Sequence, residues 1–237
     1  MKIVVCGTDR RFDYLMRLLK DAGHEMLTDT HGADITVTKW PAKENVEGKV
    51  VTCGPEFAPE GIYDLLKDEE YQHKIARMTA EGALAAAMGK TGCMISGAKC
   101  MIVGWGRIGK ALAEVLVALG AHVTVLTRRK DAVSEITRCG AAAEHTDNAT
   151  HVISQMRFVF STPPAMVIDR AVMKNAGRDA VIIDLASPPY GVDIEAAEEF
   201  GVPVWREPGV PGRYCPENAA AAIYESMRKW GIFDERT

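Results

Sequence analysis

The chain has 237 residues, enough for one large domain or two modest ones. Apolar residues make up 47% and charged residues 25%, which excludes disorder, collagen-like repeats and coiled coil as the main architecture. With 28 Lys and Arg against 32 Asp and Glu the net charge is −4, and no like-charge run is present, so neither a nucleic-acid surface nor another polyanion surface is expected. No window approaches the ~18 uncharged apolar residues of a membrane span.

The opening run MKIVVCG reads as a buried strand ending at Gly7, too short in its apolar part for a signal peptide. Phe12, Leu15, Met16 and Leu19 then recur at helical spacing. Weaker strands are predicted near 24–27, 34–38 and 49–52, followed by an Ala-rich helix over 75–88. Residues 89–97 (GKTGCMISG) read as a Gly/Ser linker. A second apolar run over 98–103 ends at Gly104, and a longer helical stripe follows through Ile108, Ala111, Leu112, Val115, Leu116 and Leu119. Further strands are expected near 121–127, 141–143, 158–161, 180–185 and 202–205, separated by helices. The last helix opens at Pro216 and stops before Gly231. Its apolar face (Ala219, Ala222, Ile223, Ser226, Met227, Trp230) needs a partner, so it is expected to return to the first domain.

Strand, turn, helix and strand repeated in this way is the grammar of a parallel sheet. The predicted fold is two-domain α/β. A smaller N-terminal α/β domain would cover 1–90 and include the returning helix 216–230. A C-terminal Rossmann domain, a doubly wound parallel sheet, would cover 91–212. The six cysteines (Cys6, Cys53, Cys93, Cys100, Cys139, Cys215) show no Cys-x-x-Cys and no neighbouring His cluster. No metal site is expected; they read as buried free thiols in a reducing cytoplasm.

Gly104-Trp105-Gly106-Arg107-Ile108-Gly109 is a G-x-G-x-x-G run placed directly after a strand and opening a helix, the context that gives this common spacing meaning. Gly104 permits the tight turn, Gly106 lets backbone approach a pyrophosphate, and Gly109 lets the helix lie close to the strand. The helix N-terminus adds free N–H groups and positive potential. A dinucleotide cofactor is therefore expected here. An NAD site wants an acid on the ribose about 20 residues beyond the fingerprint. No acid occurs between Ala121 and Lys130. Thr127, Arg128 and Arg129 stand there instead, a hydroxyl and two guanidinium groups suited to a 2′-phosphate, so NADP is the predicted cofactor. Ser161, Thr162 and Pro163 after one strand, and Ala186, Ser187 and Pro188 after the next, are small or rigid turns that would let a flat nicotinamide ring lie close.

Thr79, Ala80, Glu81, Gly82 and Ala83 on the connecting helix, GWGRIG, DLASPPYGVD over 184–193, and Pro208-Gly209-Val210-Pro211-Gly212 together resemble the A subunits of dipicolinate synthase. The loop Gly7-Thr8-Asp9-Arg10-Arg11 is similar to that family's first loop. The resemblance implies NADP-dependent oxidation of dihydrodipicolinate to dipicolinate during bacterial sporulation. It also implies, as partner, a flavoprotein-like B subunit; a homo-oligomer is expected as well.

Two substrate carboxylates want cations. Arg10 and Arg11 after the first strand, and Arg213 with Tyr214 after the PGVPG turn, are the candidates, with Thr79 beside them. Glu81 is the candidate base. Architecturally related D-2-hydroxyacid dehydrogenases need an Arg after the fifth strand of the Rossmann sheet and a His–carboxylate pair. Here that turn holds no Arg and the last histidine is His151, so a lactate-type mechanism is disfavoured. The alternatives are a dehydrogenase of that architecture and a non-catalytic nucleotide-binding subunit.

Overall fold

The computed structural model describes residues 1–39, 46–54 and 61–234. Two compact units form, one from Met1–Met78 with the segment from Pro211 on, the other from Thr79–Val210.

Five parallel strands build the first unit: β1 (Lys2–Cys6), β2 (Glu25–Leu27), β3 (Ile35–Thr38), β4 (Lys49–Thr52) and β5 (Ile62–Asp64). They lie in the order β2-β1-β3-β4-β5. β5, three residues long, is a strand the sequence pattern does not reveal. Between β1 and β2 runs α1 (Arg10–Asp21), started by the Asp9 carboxylate accepting from the Arg11 amide at 3.3 Å. Helices favour such an acceptor because their first N–H groups lack intrahelical partners. Gly7 has no side chain because a Cβ there would fall 2.0 Å from the Phe12 ring.

α2 (Glu69–Thr91) starts before the predicted helix and runs through Gly89, so the expected linker is helical over its first three residues. The Thr91 hydroxyl donates to the Ala87 carbonyl at 2.7 Å, and Gly92 ends the helix at φ +64°. Ile95, within the same stretch, is buried rather than a flexible spacer.

The second unit contains β6 (Lys99–Val103), α3 (Arg107–Ala118), β7 (His122–Thr127), α4 (Val133–Arg138), β8 (Ala142–His145), α5 (Ala149–Ile153) and β9 (Phe158–Ser161). α6 (Arg170–Met173), β10 (Val181–Asp184), α7 (Ile194–Phe200) and β11 (Val204–Arg206) follow. Its six parallel strands stand in the order β11-β10-β9-β6-β7-β8, the doubly wound arrangement that reverses direction at β6. β6, β9 and β10 are almost wholly buried apolar runs, as strands covered on both faces must be.

α8 (Val210–Tyr214) takes up the second half of the PGVPG segment, so that stretch is a short helix and not an open turn. α9 (Pro216–Lys229) packs on α1, and Ala220, Ala222, Ile223 and Met227 share one core with Ile3, Leu15 and Leu19. Asp68, just before α2, accepts from Ser226 Oγ at 2.8 Å and Lys229 Nζ at 3.0 Å, tying α9 to the start of α2.

The expectation of buried thiols needs correction. Only Cys100 is fully buried, its thiol pushed up to about 12 by that burial, whereas Cys53 is exposed and the others are partly covered. The described residues hold no group of His, Cys, Asp and Glu fit for a metal ion. None of their helices is long and apolar enough to cross a membrane.

Candidate dinucleotide site

The fingerprint loop lies at the carboxyl end of β6, where the strand order of the second unit reverses. Gly104 adopts φ +95°, and a Cβ there would fall 2.8 Å from Thr162 Oγ1. Gly109 sits against the loop, since a Cβ would fall 2.2 Å from the Gly104 carbonyl. Gly106 differs: a Cβ there would meet nothing within 4 Å. It caps α3 with no side-chain acceptor, so the helix's first N–H groups and an open approach coincide. That combination accepts a pyrophosphate.

Trp105 is buried between these glycines. Its indole Nε1 donates to Glu135 Oε2 at 2.9 Å, and Lys110 Nζ donates to Glu135 Oε1 at 2.6 Å. Lys110 and Trp105, by hydrogen bonding, hold the Glu135 carboxyl below the usual carboxylate range. Neither Glu135 nor Lys110 belongs to a sequence motif. Only the fold, which brings α4 beside the loop, reveals them.

A cavity of about 690 Å³ opens here, lined by Gly104, Trp105, Gly106, Thr127, Arg128, Arg129, Thr162 and Pro163 among others. That volume lies within the range of small-molecule and cofactor sites. Thr127 is buried and its Oγ1 accepts from the Arg129 amide at 3.1 Å, which fixes the turn after β7. The Arg129 side chain folds back onto Asp131 (Nε–Oδ1 3.3 Å), while Arg128 is exposed at the rim. Arg107, exposed, and Ile108, partly buried, begin α3 and are not among this cavity's lining residues.

The two further turns divide. Thr162 and Pro163 line the cavity, with Thr162 Oγ1 donating to the Val103 carbonyl at 2.8 Å. Ser161 is fully buried behind them, and its Oγ has no hydrogen-bond partner among the described residues. Ala186, Ser187 and Pro188 are not among this cavity's lining residues. The carboxylate before them, Asp184, is buried, which pushes its pKa up; the Ala186 amide at 3.3 Å and Arg206 act in the opposite direction.

The substrate candidates in the first unit separate as well. Arg11 is half-buried, bound through Nε to Asp9 Oδ1 at 2.8 Å, and lines a second cavity of about 280 Å³. Arg10 is exposed and does not line it. Arg213 is exposed, with its guanidinium 5.6 Å from the Tyr214 ring centroid. Thr79 is buried and Glu81 exposed, both on α2.

A parallel doubly wound sheet with an open glycine cradle at its reversal point defines a nicotinamide-dinucleotide-binding domain of the dehydrogenase type. The profile of the D-isomer specific 2-hydroxyacid dehydrogenase NAD binding domain matches residues 67–188, and the chain belongs to that family. It is also similar to the A subunit of dipicolinate synthase from Bacillus subtilis (strain 168), 31% identical over 151 residues. That match takes in 64% of this chain and 51% of the relative, so it spans about half the curated protein's length.

Among solved structures, the A subunit of dipicolinate synthase from Bacillus halodurans superposes with a TM-score of 0.82 at 22% identity, covering 99% of this chain and 98% of the other. The D-lactate dehydrogenase of Escherichia coli gives 0.67 at 11% identity, covering 100% and 98%. These structural likenesses establish the two-domain α/β fold.

Proposed function

We propose that this chain is the NADP-binding subunit of a cytoplasmic oxidoreductase that oxidises dihydrodipicolinate to dipicolinate, partnered by a flavoprotein-like B subunit. One observation carries the cofactor side of this reading. The turn after β7 presents buried Thr127 and exposed Arg128 to the cavity and no carboxylate at the strand end. The similarity to the dipicolinate synthase A subunit supports the substrate.

The amides at the start of α3 and the space over Gly106 would hold the pyrophosphate, and Thr127 with Arg128 the 2′-phosphate. When bound, the nicotinamide supplies hydride acceptance. The substrate ring loses a hydride and a proton and becomes aromatic, so orientation matters more than a strong base. Arg11 is the cation best placed for a substrate carboxylate because Asp9 fixes it. Glu81 is the candidate to receive the proton.

A second reading, dehydrogenation of a 2-hydroxy acid, is favoured by the family match. The absence of an Arg from the turn 185–193 after β10, and of any His after His151, opposes it. One assay tests both. The chain is mixed with NADP and chemically generated dihydrodipicolinate, with and without a B-type subunit, and NADPH absorbance is followed. Reduction of NADP in either mixture supports the proposal. Turnover of 2-hydroxy acids with none of dihydrodipicolinate supports the second reading.

A further inference from the structure

The sheet of the first unit has its own reversal point. In the order β2-β1-β3-β4-β5 the chain proceeds from β1 to one side and from β3 to the other. Open parallel sheets bind ligands outside the carboxyl ends of their strands at such a point. The cavity of about 280 Å³ lies there, lined by Arg11 and Phe12 after β1, Thr38 and Lys39 at the end of β3, Cys53 after β4, and Tyr71 of α2. It is much smaller than the cavity of the second unit, and its volume suits a single ring rather than a dinucleotide.

Its chemistry is specific. The buried Phe12 ring is flanked by two cations, with Arg11 Cζ 5.7 Å and Lys39 Nζ 6.0 Å from its centroid. Asp9 binds Arg11 and lies 3.8 Å from Lys39, so two positive groups face one carboxylate and one positive charge is left over. The Tyr71 hydroxyl meets Cys53 Sγ at 3.6 Å and also interacts with the Arg11 guanidinium. Tyr71 is buried, which pushes its pKa well up and keeps it a neutral hydrogen-bond donor. Asp64, near Cys53, accepts from the amides of Gly54 at 3.0 Å and Leu66 at 2.9 Å and is not among the residues lining the cavity.

We infer that this cavity is a carboxylate site for a flat, one-ring acid, with Arg11 and Lys39 binding the carboxylate, Phe12 under the ring and the Tyr71 hydroxyl as a further donor. The inference rests on the proposed function only for the choice of pyridine-2,6-dicarboxylate as first probe. The surplus charge and the aromatic floor stand without it.

The test is calorimetry on the full chain with pyridine-2,6-dicarboxylate, benzoate and inorganic phosphate, using the unmodified protein, Arg11→Gln, Arg11→Lys and Lys39→Gln. Both ring acids bind, phosphate competes poorly, and Arg11→Gln weakens the ring acids by about tenfold or more, the loss of one charge-assisted contact. Arg11→Lys recovers part of that loss, and Lys39→Gln, at an exposed position, weakens binding without disturbing the fold. An unchanged thermal melt and far-ultraviolet circular dichroism in each variant show that the first unit, which carries the site, is folded.

No binding of either ring acid, or equal affinity in all four proteins, overturns the site. Phosphate binding as tightly as the ring acids overturns the ring assignment. If the ring acids bind through Arg11 but dihydrodipicolinate is never oxidised, the site stands and the proposed function falls. If oxidation occurs and all three substitutions leave ring-acid affinity unchanged, the site falls and the function stands.

Discussion

The Trp105 indole and the Glu135 carboxylate, 30 positions apart, are joined by a 2.9 Å hydrogen bond that ties the fingerprint loop to the helix after the basic turn. Glu135 thereby links two walls of the dinucleotide cavity. Glu135→Ala is expected to weaken NADP binding and to shift Trp105 emission to the red as water reaches the indole. Glu135→Gln, which keeps an acceptor for the indole but gives up the Lys110 ion pair, should fall between. Because Lys110 and Trp105 hold this carboxyl below its usual range, the affinity should be flat near neutrality. It should decline only as pH falls below the ordinary carboxylate value of about 4.3. Titration of fluorescence against cofactor at several pH values checks both statements.

The glycines separate folding from binding. A Cβ at Gly106 meets nothing within 4 Å, and its φ of −92° suits any residue. Gly106→Ala should therefore melt like the unmodified protein yet lose most of its dinucleotide affinity. Gly109→Ala puts a methyl group 2.2 Å from a backbone oxygen and should lower stability by about 1–3 kcal/mol. Thermal melts with and without NADP distinguish the two.

The proposed preference for NADP is tested at Arg128. In the unmodified chain NADP should bind more tightly than NAD, and Arg128→Ala should remove most of that preference. The loss of a charge-assisted contact corresponds to about 1.5–3 kcal/mol. Calorimetry with both cofactors is the measurement, and equal affinities in the unmodified protein would refute the assignment.

Asp68 gives the first unit a pH-dependent tie. Burial works against its charge, but hydrogen bonds from Lys229, Ser226 and the Tyr71 amide outweigh it and lower its pKa. A carboxylate lowered on folding stabilises above its unfolded value of about 3.9, and that contribution is lost as pH falls through the folded value. Asp68→Asn should cost about 1–2 kcal/mol at neutral pH, the lower part of the range for charged hydrogen bonds, since Lys229 is half-exposed. The difference between the two proteins should shrink as pH falls below about 3.9, as denaturant melts at pH 7 and pH 3 would show.

The fold class was legible because its signals are local. β9 (Phe158–Ser161) is a bare apolar run, and the α3 stripe keeps a single period over three turns. β5 was not legible: Ile62, Tyr63 and Asp64 form a strand only because β4 offers them hydrogen bonds. Gly89 suggested a linker, yet it lies within the last turn of α2 with open space around it, where a helical glycine costs little more than entropy. In PGVPG the prolines suggested a turn, whereas Pro211 stands in the first turn of α8, where a missing N–H does no harm.

The same division runs through the candidate sites. The fingerprint is contiguous and could be read directly. Glu135, Lys39 and Tyr71 reach their positions through tertiary packing and carry no spacing that would mark them. Arg10 and Arg11, adjacent in the chain, are separated by the helical rotation of about 100° per residue, which sends one outward and the other to Asp9.

The first unit draws its core from two distant stretches of chain, and this dictates an order of events during synthesis. Ile3, Leu15 and Leu19 belong to a cluster that α9 completes with Ala220, Ile223 and Met227. A ribosome releases residues 79–210, one continuous stretch with its own six-stranded sheet, before any of α9. The second unit can therefore finish folding while the first still exposes the apolar face of α1 to water, the state in which a nascent chain depends most on chaperones.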